Sequence, residues 1–192
     1  MSYTPKILAF AGSLRGASYN KKLAKVAAEA ARAAGAEATF LDLRDLPLPI
    51  FDEDIEKQSF PENATKLKAL MKSHDGFLIA SPEYNSSISA ALKNAVDWAS
   101  RERPEEKPLE CFDGKVAALM STSPGALGGL RGLVTVRMLL GNIRVLVLPD
   151  QVAVPQAHQA FTESGALADP KRQAAIDKLA QSLVSTLRKL HA

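Results

Sequence analysis

Five short apolar runs alternate along this chain with five segments of helical periodicity, and this alternation constrains the fold most. The runs lie at about residues 6–11, 38–43, 76–80, 116–120 and 145–148, the last with 152–154 as an edge extension. Continuously apolar strands are covered on both faces, and strands that alternate with helices form parallel sheets. The sequence therefore predicts an α/β three-layer sandwich with a five-stranded parallel sheet, and for its strands we expect the common doubly wound order 2-1-3-4-5.

The bulk composition bounds the kind of protein. A length of 192 residues suits one domain, residues 1–192, and 46% apolar with 23% charged residues is ordinary for a globular chain. The single cysteine, Cys111, excludes an internal disulfide and favours a reducing, cytoplasmic setting. No signal pattern or apolar run of about 18 residues predicts export or membrane insertion. The net charge of +3, without a Lys/Arg-rich block, disfavours nucleic acid and suits small anions.

The first strand leads into a loop whose residue types suit an anion. Helix starts leave main-chain N–H groups unpaired, and the helix dipole adds positive charge there. Ser13 and Ser18 offer hydroxyls, Asn20 an amide, and Arg15 a planar fork that fits phosphate oxygens. Neither G-x-x-x-x-G-K-[ST] nor G-x-G-x-x-G occurs, so a monophosphate is predicted. The alternative is that Ser18 is only an N-cap and Arg15 a solvated surface residue.

The loops after the third and fourth strands, 81–85 and 121–129, should share a crevice with the first loop. In an open parallel sheet, ligands bind beyond the carboxyl ends of the strands where the strand order reverses. A turn at 82–85 would then meet a ring attached to the phosphate, with Tyr84 offering a flat face and Asn85 an amide. The alternative is a plain turn with Asn85 as a helix cap. Glu83 could be a general acid or base, but we favour a salt bridge, for example with Arg101.

Other chemistries are disfavoured by spacing. His74, His158 and His191 are scattered, so no metal site is predicted. Cys111 lacks a placed histidine, and no G-x-S-x-G elbow for a serine nucleophile occurs.

A helix predicted over 130–140 is apolar almost all round. One sheet cannot cover every side of such a helix. Either the helix is unusually buried, or its outer face meets another subunit, which is the interpretation we favour.

Three motifs in order make the chain resemble a known family. They are Gly12-Ser13-Leu14-Arg15 with Ser18 and Asn20, Ser81-Pro82-Glu83-Tyr84-Asn85 followed by Ala91-Leu92-Lys93-Asn94-Ala95-Val96-Asp97-Trp98, and Ser123-Pro124-Gly125 through Gly128-Gly129. Over about residues 5–155 the chain resembles the NAD(P)H-dependent FMN reductases, the flavodoxin-like group that includes chromate, quinone and azo-dye reductases. The resemblance implies an FMN whose phosphate contacts Ser13, Arg15, Ser18 and Asn20 and the backbone of Leu14 and Tyr19. Its ring would contact Pro82, Glu83, Tyr84, Asn85 and Ser123.

The resemblance also implies an activity. NADPH or NADH would reduce the flavin, which would then reduce a small acceptor: a quinone, azo compound, chromate, ferric complex or free flavin. The flavin N5 carries the hydride, so no catalytic side chain is expected. Such enzymes are commonly dimers or tetramers. The alternatives are a flavodoxin-type electron carrier that does not oxidise nicotinamide and a flavin-free binding domain. The chain departs from the better-known members mainly after Pro155, where residues 156–169 have no assigned role, and the acidic loop 47–56 should border the site without an assigned contact.

Overall fold

The sheet is the predicted one. A computed structural model describes residues 3 to 192 and contains a five-stranded sheet of order β2-β1-β3-β4-β5. All four neighbouring pairs run parallel. The strands are β1 (Lys6–Ala11), β2 (Glu37–Leu41), β3 (Gly76–Ala80), β4 (Val116–Thr122) and β5 (Leu146–Val154). Successive side chains of β1 enter opposite cores, Ile7 one and Leu8 the other, which explains why the run is apolar throughout.

Six α-helices lie among residues 3–192. They are α1 (Tyr19–Ala33), α2 (Glu53–Gln58), α3 (Glu62–Lys72), α4 (Ala90–Ser100), α5 (Leu130–Asn142) and α6 (Pro170–Leu190). Helices α1 and α6 enclose one core, and α3, α4 and α5 enclose the other. This arrangement confirms the three-layer, flavodoxin-like sandwich. No helix between residues 3 and 192 combines the length and the apolar character that a membrane span requires.

Several boundaries differ from the sequence-based prediction because capping side chains decide them. Strand β2 ends at Leu41, since the side chain of Asp42 caps a 3-10 turn over Leu43–Asp45. The short helix α2 occupies part of the predicted acidic loop. Helix α4 begins at Ala90, and its N-cap is Ser89 rather than Asn85.

The last strand is continuous, although the sequence suggests two pieces. Ala117 pairs with Val147 but Leu119 pairs with Gln151, so β5 contains an irregularity around Pro149. Proline lacks a ladder N–H and is tolerated here because β5 is an edge strand. The guanidinium of Arg137 on α5 donates to the Leu148 carbonyl at 2.7 Å and holds the irregular stretch.

Helix α5 has the surplus apolar surface that its composition predicts. Leu133 and Leu140 are buried against the sheet, whereas Val134 and Met138 are 65% and 69% exposed. Together with the partly exposed Leu130, they form an apolar stripe at helical spacing.

Candidate active site

The loops after β1, β3 and β4 meet around one cavity of about 120 Å³. Its lining is Ser13, Arg15, Ser18, Tyr19, Asn20, Pro82, Glu83, Tyr84, Thr122, Ser123 and Pro124. All the predicted site residues therefore lie together here except Leu14 and Asn85. Leu14 lines a neighbouring cavity. The sequence reasoning missed Thr122 and Pro124, although both lie in the loop it selected.

The first loop is held against the sheet and α4. The N–H of Gly12 donates to the Ala80 carbonyl at 3.0 Å. A Cβ on Gly12 would lie 2.8 Å from the Cβ of Leu92, so the missing side chain lets the loop approach α4 closely. Ser18 caps α1 by accepting a hydrogen bond from the Lys21 N–H at 3.4 Å. Ser18 is therefore the N-cap of α1, as the alternative stated. Its hydroxyl only accepts in this cap, so its O–H can still donate to a ligand.

The loop offers the donors that a phosphate needs. Among residues 3–192, nothing accepts a hydrogen bond from the main-chain N–H groups of Leu14, Gly16 and Ala17. The hydroxyls of Ser13 and Ser18 are buried beside them. These groups surround the N-terminus of α1, where the helix dipole favours negative charge. The donor set fits the phosphate monoester of FMN.

Arg15 lies at the mouth of this loop. Its guanidinium donates to the Ala17 carbonyl at 2.7 Å and lies 5.5 Å from the centre of the Tyr19 ring. The Tyr19 ring in turn stacks on Phe161, with 6.2 Å between centres. The unassigned segment 156–169 therefore packs beside the site. Ala157 attaches its start to the fourth-strand loop through a hydrogen bond to the Ser123 carbonyl at 3.0 Å.

Asn20 has a structural role that the sequence did not indicate. Its amide nitrogen donates to the Thr122 carbonyl at 2.9 Å, and its oxygen accepts from the Thr122 N–H at 3.0 Å. This buried pair ties the first turn of α1 to the end of β4. One amide N–H of Asn20 remains for a ligand, so its phosphate contact stays a prediction.

The turn after β3 is a tight hairpin. Tyr84 and Ser87 exchange two main-chain hydrogen bonds of 2.9 and 3.0 Å. Asn85 and Ser86 between them have φ angles of 51° and 62°, the left-handed pair typical of a type I′ turn. Asn85 therefore does not cap α4, and that alternative is wrong. The turn leaves Tyr84 exposed at the cavity.

The predicted Glu83–Arg101 pair is wrong. The Glu83 carboxylate accepts from the Gly132 N–H at 3.1 Å and contacts the Arg131 guanidinium at 2.9 Å, so it caps α5. Burial by itself would raise the pKa of Glu83, but these hydrogen bonds and the Arg131 charge outweigh it and lower the pKa. Arg101 pairs instead with Glu56 at 2.9 Å. Glu83 is thus an ionised anchor rather than an acid or base.

The acidic loop 47–56 is fastened to α4. The Pro49 carbonyl accepts from Asn94 at 2.9 Å and from the Trp98 indole at 2.8 Å. The Phe51 N–H donates to the Asn94 side chain at 2.8 Å. Its first residues, 47 and 48, line the cavity on the other side of Leu14 rather than the one described above.

The fold and this cavity define a class: a flavodoxin-like α/β protein with a cavity between three loops at the carboxyl ends of its strands. Comparison with known proteins gives the family. The model of the NADPH-dependent FMN reductases matches residues 5–159, and the chain belongs to that family. The resemblance inferred from the three motifs is thereby confirmed.

Individual relatives agree in length as well as sequence. The chain is 34% identical over 192 residues to an NAD(P)H-dependent FMN reductase of Pseudomonas aeruginosa, covering 99% of each chain. It is 34% identical over 188 residues to a quinone reductase of Pseudomonas putida, covering 94% and 95%. The structure of the flavoenzyme NAD(P)H:(acceptor) oxidoreductase FerB from Paracoccus denitrificans superposes with a TM-score of 0.82 at 28% identity, over 97% and 98% of the two chains. An archaeal flavodoxin, at a TM-score of 0.63 and 9% identity, shares the fold.

Membership of the family settles the chemistry in outline. The protein is an FMN-dependent oxidoreductase that uses NAD(P)H. The predicted enzyme class and cofactors are therefore confirmed, while the contact of each residue with the flavin stays a prediction.

Proposed function

We propose that this protein is an NAD(P)H:quinone oxidoreductase in which the cavity between the three loops holds FMN. The observation that carries the assignment is the placement of a phosphate-type donor set, residues 13–20, beside the hairpin 82–87 around one cavity. When bound, FMN supplies the redox chemistry, accepting hydride from the nicotinamide and passing electrons to the acceptor.

The role of the chain's own residues is to bind the cofactor and to orient it. In this proposal Ser13, Ser18 and the free N–H groups hold the phosphate, and Arg15 closes the mouth of the loop. Asn20 keeps α1 against β4, so the two halves of the cavity keep their spacing. Glu83 fixes the hairpin that faces the ring, and its carboxylate is already engaged with α5. No side chain is required as a general acid or base.

A quinone is the acceptor that the comparisons favour. Several relatives at 30% identity or more are named quinone reductases, and one that is 42% identical over 123 residues is named a 2-hydroxy-1,4-benzoquinone reductase. The azoreductase neighbours are 16% and 17% identical and support the fold alone. Azo compounds, chromate, ferric complexes and free flavin are therefore secondary candidates.

We also propose that the protein is a homo-oligomer, a dimer or tetramer, that buries the stripe Leu130, Val134 and Met138 of α5. Removing these apolar side chains from water would stabilise the oligomer by about 25 cal/mol for each Å² of apolar surface buried. A reducing, cytoplasmic location likewise remains a proposal, supported by the free, buried thiol of Cys111.

The test is an absorption spectrum of the purified protein, repeated without oxygen after NADPH is added and again after a benzoquinone is added. We expect flavin bands that bleach with NADPH and return with the quinone. Bands that NADPH does not bleach would favour an electron carrier. A protein that binds no FMN even when FMN is supplied would refute the assignment of the cavity.

A further inference from the structure

A second cavity lies on the other side of the phosphate loop. It has a volume of about 280 Å³ and is lined by Leu14, Leu43, Arg44, Leu46, Pro47, Leu48, Ala91, Asn94 and Ala95. Its walls are mostly aliphatic, and Arg44 is its only ionisable residue. Leu14 belongs to the phosphate loop, so that loop contributes to the walls of both cavities.

Arg44 is a cation whose charge acts on the nearby Asp42 carboxylate without direct contact between the two side chains. Its guanidinium forms no hydrogen bond or ion pair with any residue between 3 and 192. It lies against the phosphate loop, since a Cβ built on Gly16 would be only 2.8 Å from its Nη1 atom. An unpaired guanidinium at the edge of an apolar cavity is complementary to an anion with an apolar body.

The fold holds the turn that carries Arg44 in place. Lys21 of α1 is buried and forms an ion pair with Asp42 at 2.6 Å. The Asp42 side chain also accepts from the Arg44 N–H at 3.0 Å and so caps the turn Leu43–Asp45. Helix α1 begins at the phosphate loop. One buried ion pair therefore fixes the turn relative to the cofactor loop.

We propose that this second cavity binds the adenosine 2′-phosphate end of NADPH and that Arg44 pairs with the 2′-phosphate. The inference rests on the proposed function, because it places the co-substrate of that reaction. Adenine is a flat, weakly polar ring that suits aliphatic walls, and a phosphate suits a planar guanidinium. The side-chain oxygen and nitrogen of Asn94 already form hydrogen bonds with the acidic loop. Arg44 is therefore the residue of this cavity that would bind the phosphate. NADH, which lacks the 2′-phosphate, gains nothing from this residue.

A larger groove, about 720 Å³, runs along α1 beside α6 but is less suitable. It carries Lys22 and Lys25 together with the carboxylates Glu29, Glu163 and Asp177. The carboxylates outnumber the lysines, so the groove does not favour a nucleotide phosphate.

The test compares NADPH and NADH as substrates of the FMN-loaded Arg44→Ala variant. We expect KM for NADPH to rise by about 10- to 100-fold, the effect of losing a charged hydrogen bond, with KM for NADH changed less than about twofold. FMN affinity should be unchanged. Lys25→Ala is the matched control, since it removes a cation from the rival groove, and it should leave both KM values unchanged.

Two further measurements keep the outcome decisive. Ala91→Leu, which narrows the cavity without removing charge, should raise KM for both nucleotides. Calorimetry of the FMN-loaded protein should show that adenosine 2′,5′-bisphosphate binds at least tenfold more tightly than AMP, and that Arg44→Ala removes the difference.

Several results would overturn the inference. An equal rise of both KM values in Arg44→Ala, or loss of FMN from that variant, would do so. So would a larger rise of KM for NADPH in Lys25→Ala than in Arg44→Ala. A change in the oligomeric mass of Arg44→Ala would also do so, because it would make the cavity a subunit contact. The calorimetric arm needs no turnover. A protein that fails to oxidise either nucleotide would refute the proposed function, whereas turnover with both and no effect of Arg44→Ala would refute this inference alone.

Discussion

Replacing Glu83 tests how the hairpin 82–87, which we propose faces the flavin, is held. The side chain is only 9% exposed and accepts hydrogen bonds from the Gly132 N–H at 3.1 Å and from the Arg131 Nε at 3.0 Å. Glu83→Ala removes the cap of α5 and frees the hairpin from that helix at the same time. We expect a loss of stability together with weaker FMN binding.

The magnitude follows from the exposure of each partner. A hydrogen bond from the partly buried Gly132 N–H to a carboxylate stabilises by about 1.5–3 kcal/mol. Arg131 is 61% exposed, so screening by water limits its ion pair to about 0.2–1 kcal/mol. Glu83→Ala should therefore lower the free energy of unfolding by roughly 2–4 kcal/mol. Arg131→Ala should lower it by about 0.2–1 kcal/mol.

The assay is urea unfolding of the two variants without FMN. In a separate experiment the folded variants are titrated with FMN. We expect Glu83→Ala to be clearly the less stable variant and to bind FMN at least tenfold more weakly than wild type. If both variants lose the same small amount, below about 1 kcal/mol, the main-chain cap contributes little and the reasoning is wrong.

The same carboxylate should make stability depend on pH. The folded-state pKa of Glu83 is lowered from its ordinary value of 4.5, so the folded state binds the proton less readily than the unfolded chain. Its contribution is complete above pH 4.5 and is lost as the pH falls below 4.5 through the folded pKa. Glu83→Gln should reduce this part of the acid destabilisation, measured by urea unfolding at decreasing pH. An unchanged pH profile would contradict the assignment.

Three further predictions address the cofactor loop, the oligomer and the thiol. Arg15→Ala should weaken FMN binding by about 1.5–3 kcal/mol in a fluorescence titration, whereas the distant Arg103→Ala should not; unchanged affinity in the first variant would remove Arg15 from the phosphate site. Met138→Asp should lower the mass seen by light scattering, because it places a carboxylate in the proposed apolar interface, while an unaltered mass would exclude α5 from the interface. Burial raises the pKa of Cys111 to about 11, so iodoacetamide should label it at neutral pH only after unfolding; rapid labelling of the folded protein, detected by mass spectrometry, would contradict the buried position.

The strands and the location of the site could be predicted because their signals are local. Each strand is a short apolar run, and each site loop follows such a run directly. The type I′ hairpin was harder, because neither Asn85 nor Ser86 is a glycine and the sequence alone did not demand two left-handed residues there.

Partner choice could not be predicted. The sequence suggested Arg101 for Glu83, yet the partner is Arg131, 48 residues away on α5. The sequence pattern did not single out Arg44, because this residue follows β2 and lies outside the three loops that the strand order brings together. Its closeness to Gly16 depends on the Lys21–Asp42 ion pair between two separate elements.

The sequence by itself determined the parallel sheet, the two-sided burial of its strands and the loops that carry polar residues. These follow from periodicity and capping over a few neighbouring residues. Only the tertiary structure decided which polar groups meet: Glu83 with the start of α5, Asn20 with the main chain of Thr122, and Arg44 with the loop after β1. Such contacts join residues far apart in the chain, and their geometry exists only after the helices have packed on the sheet.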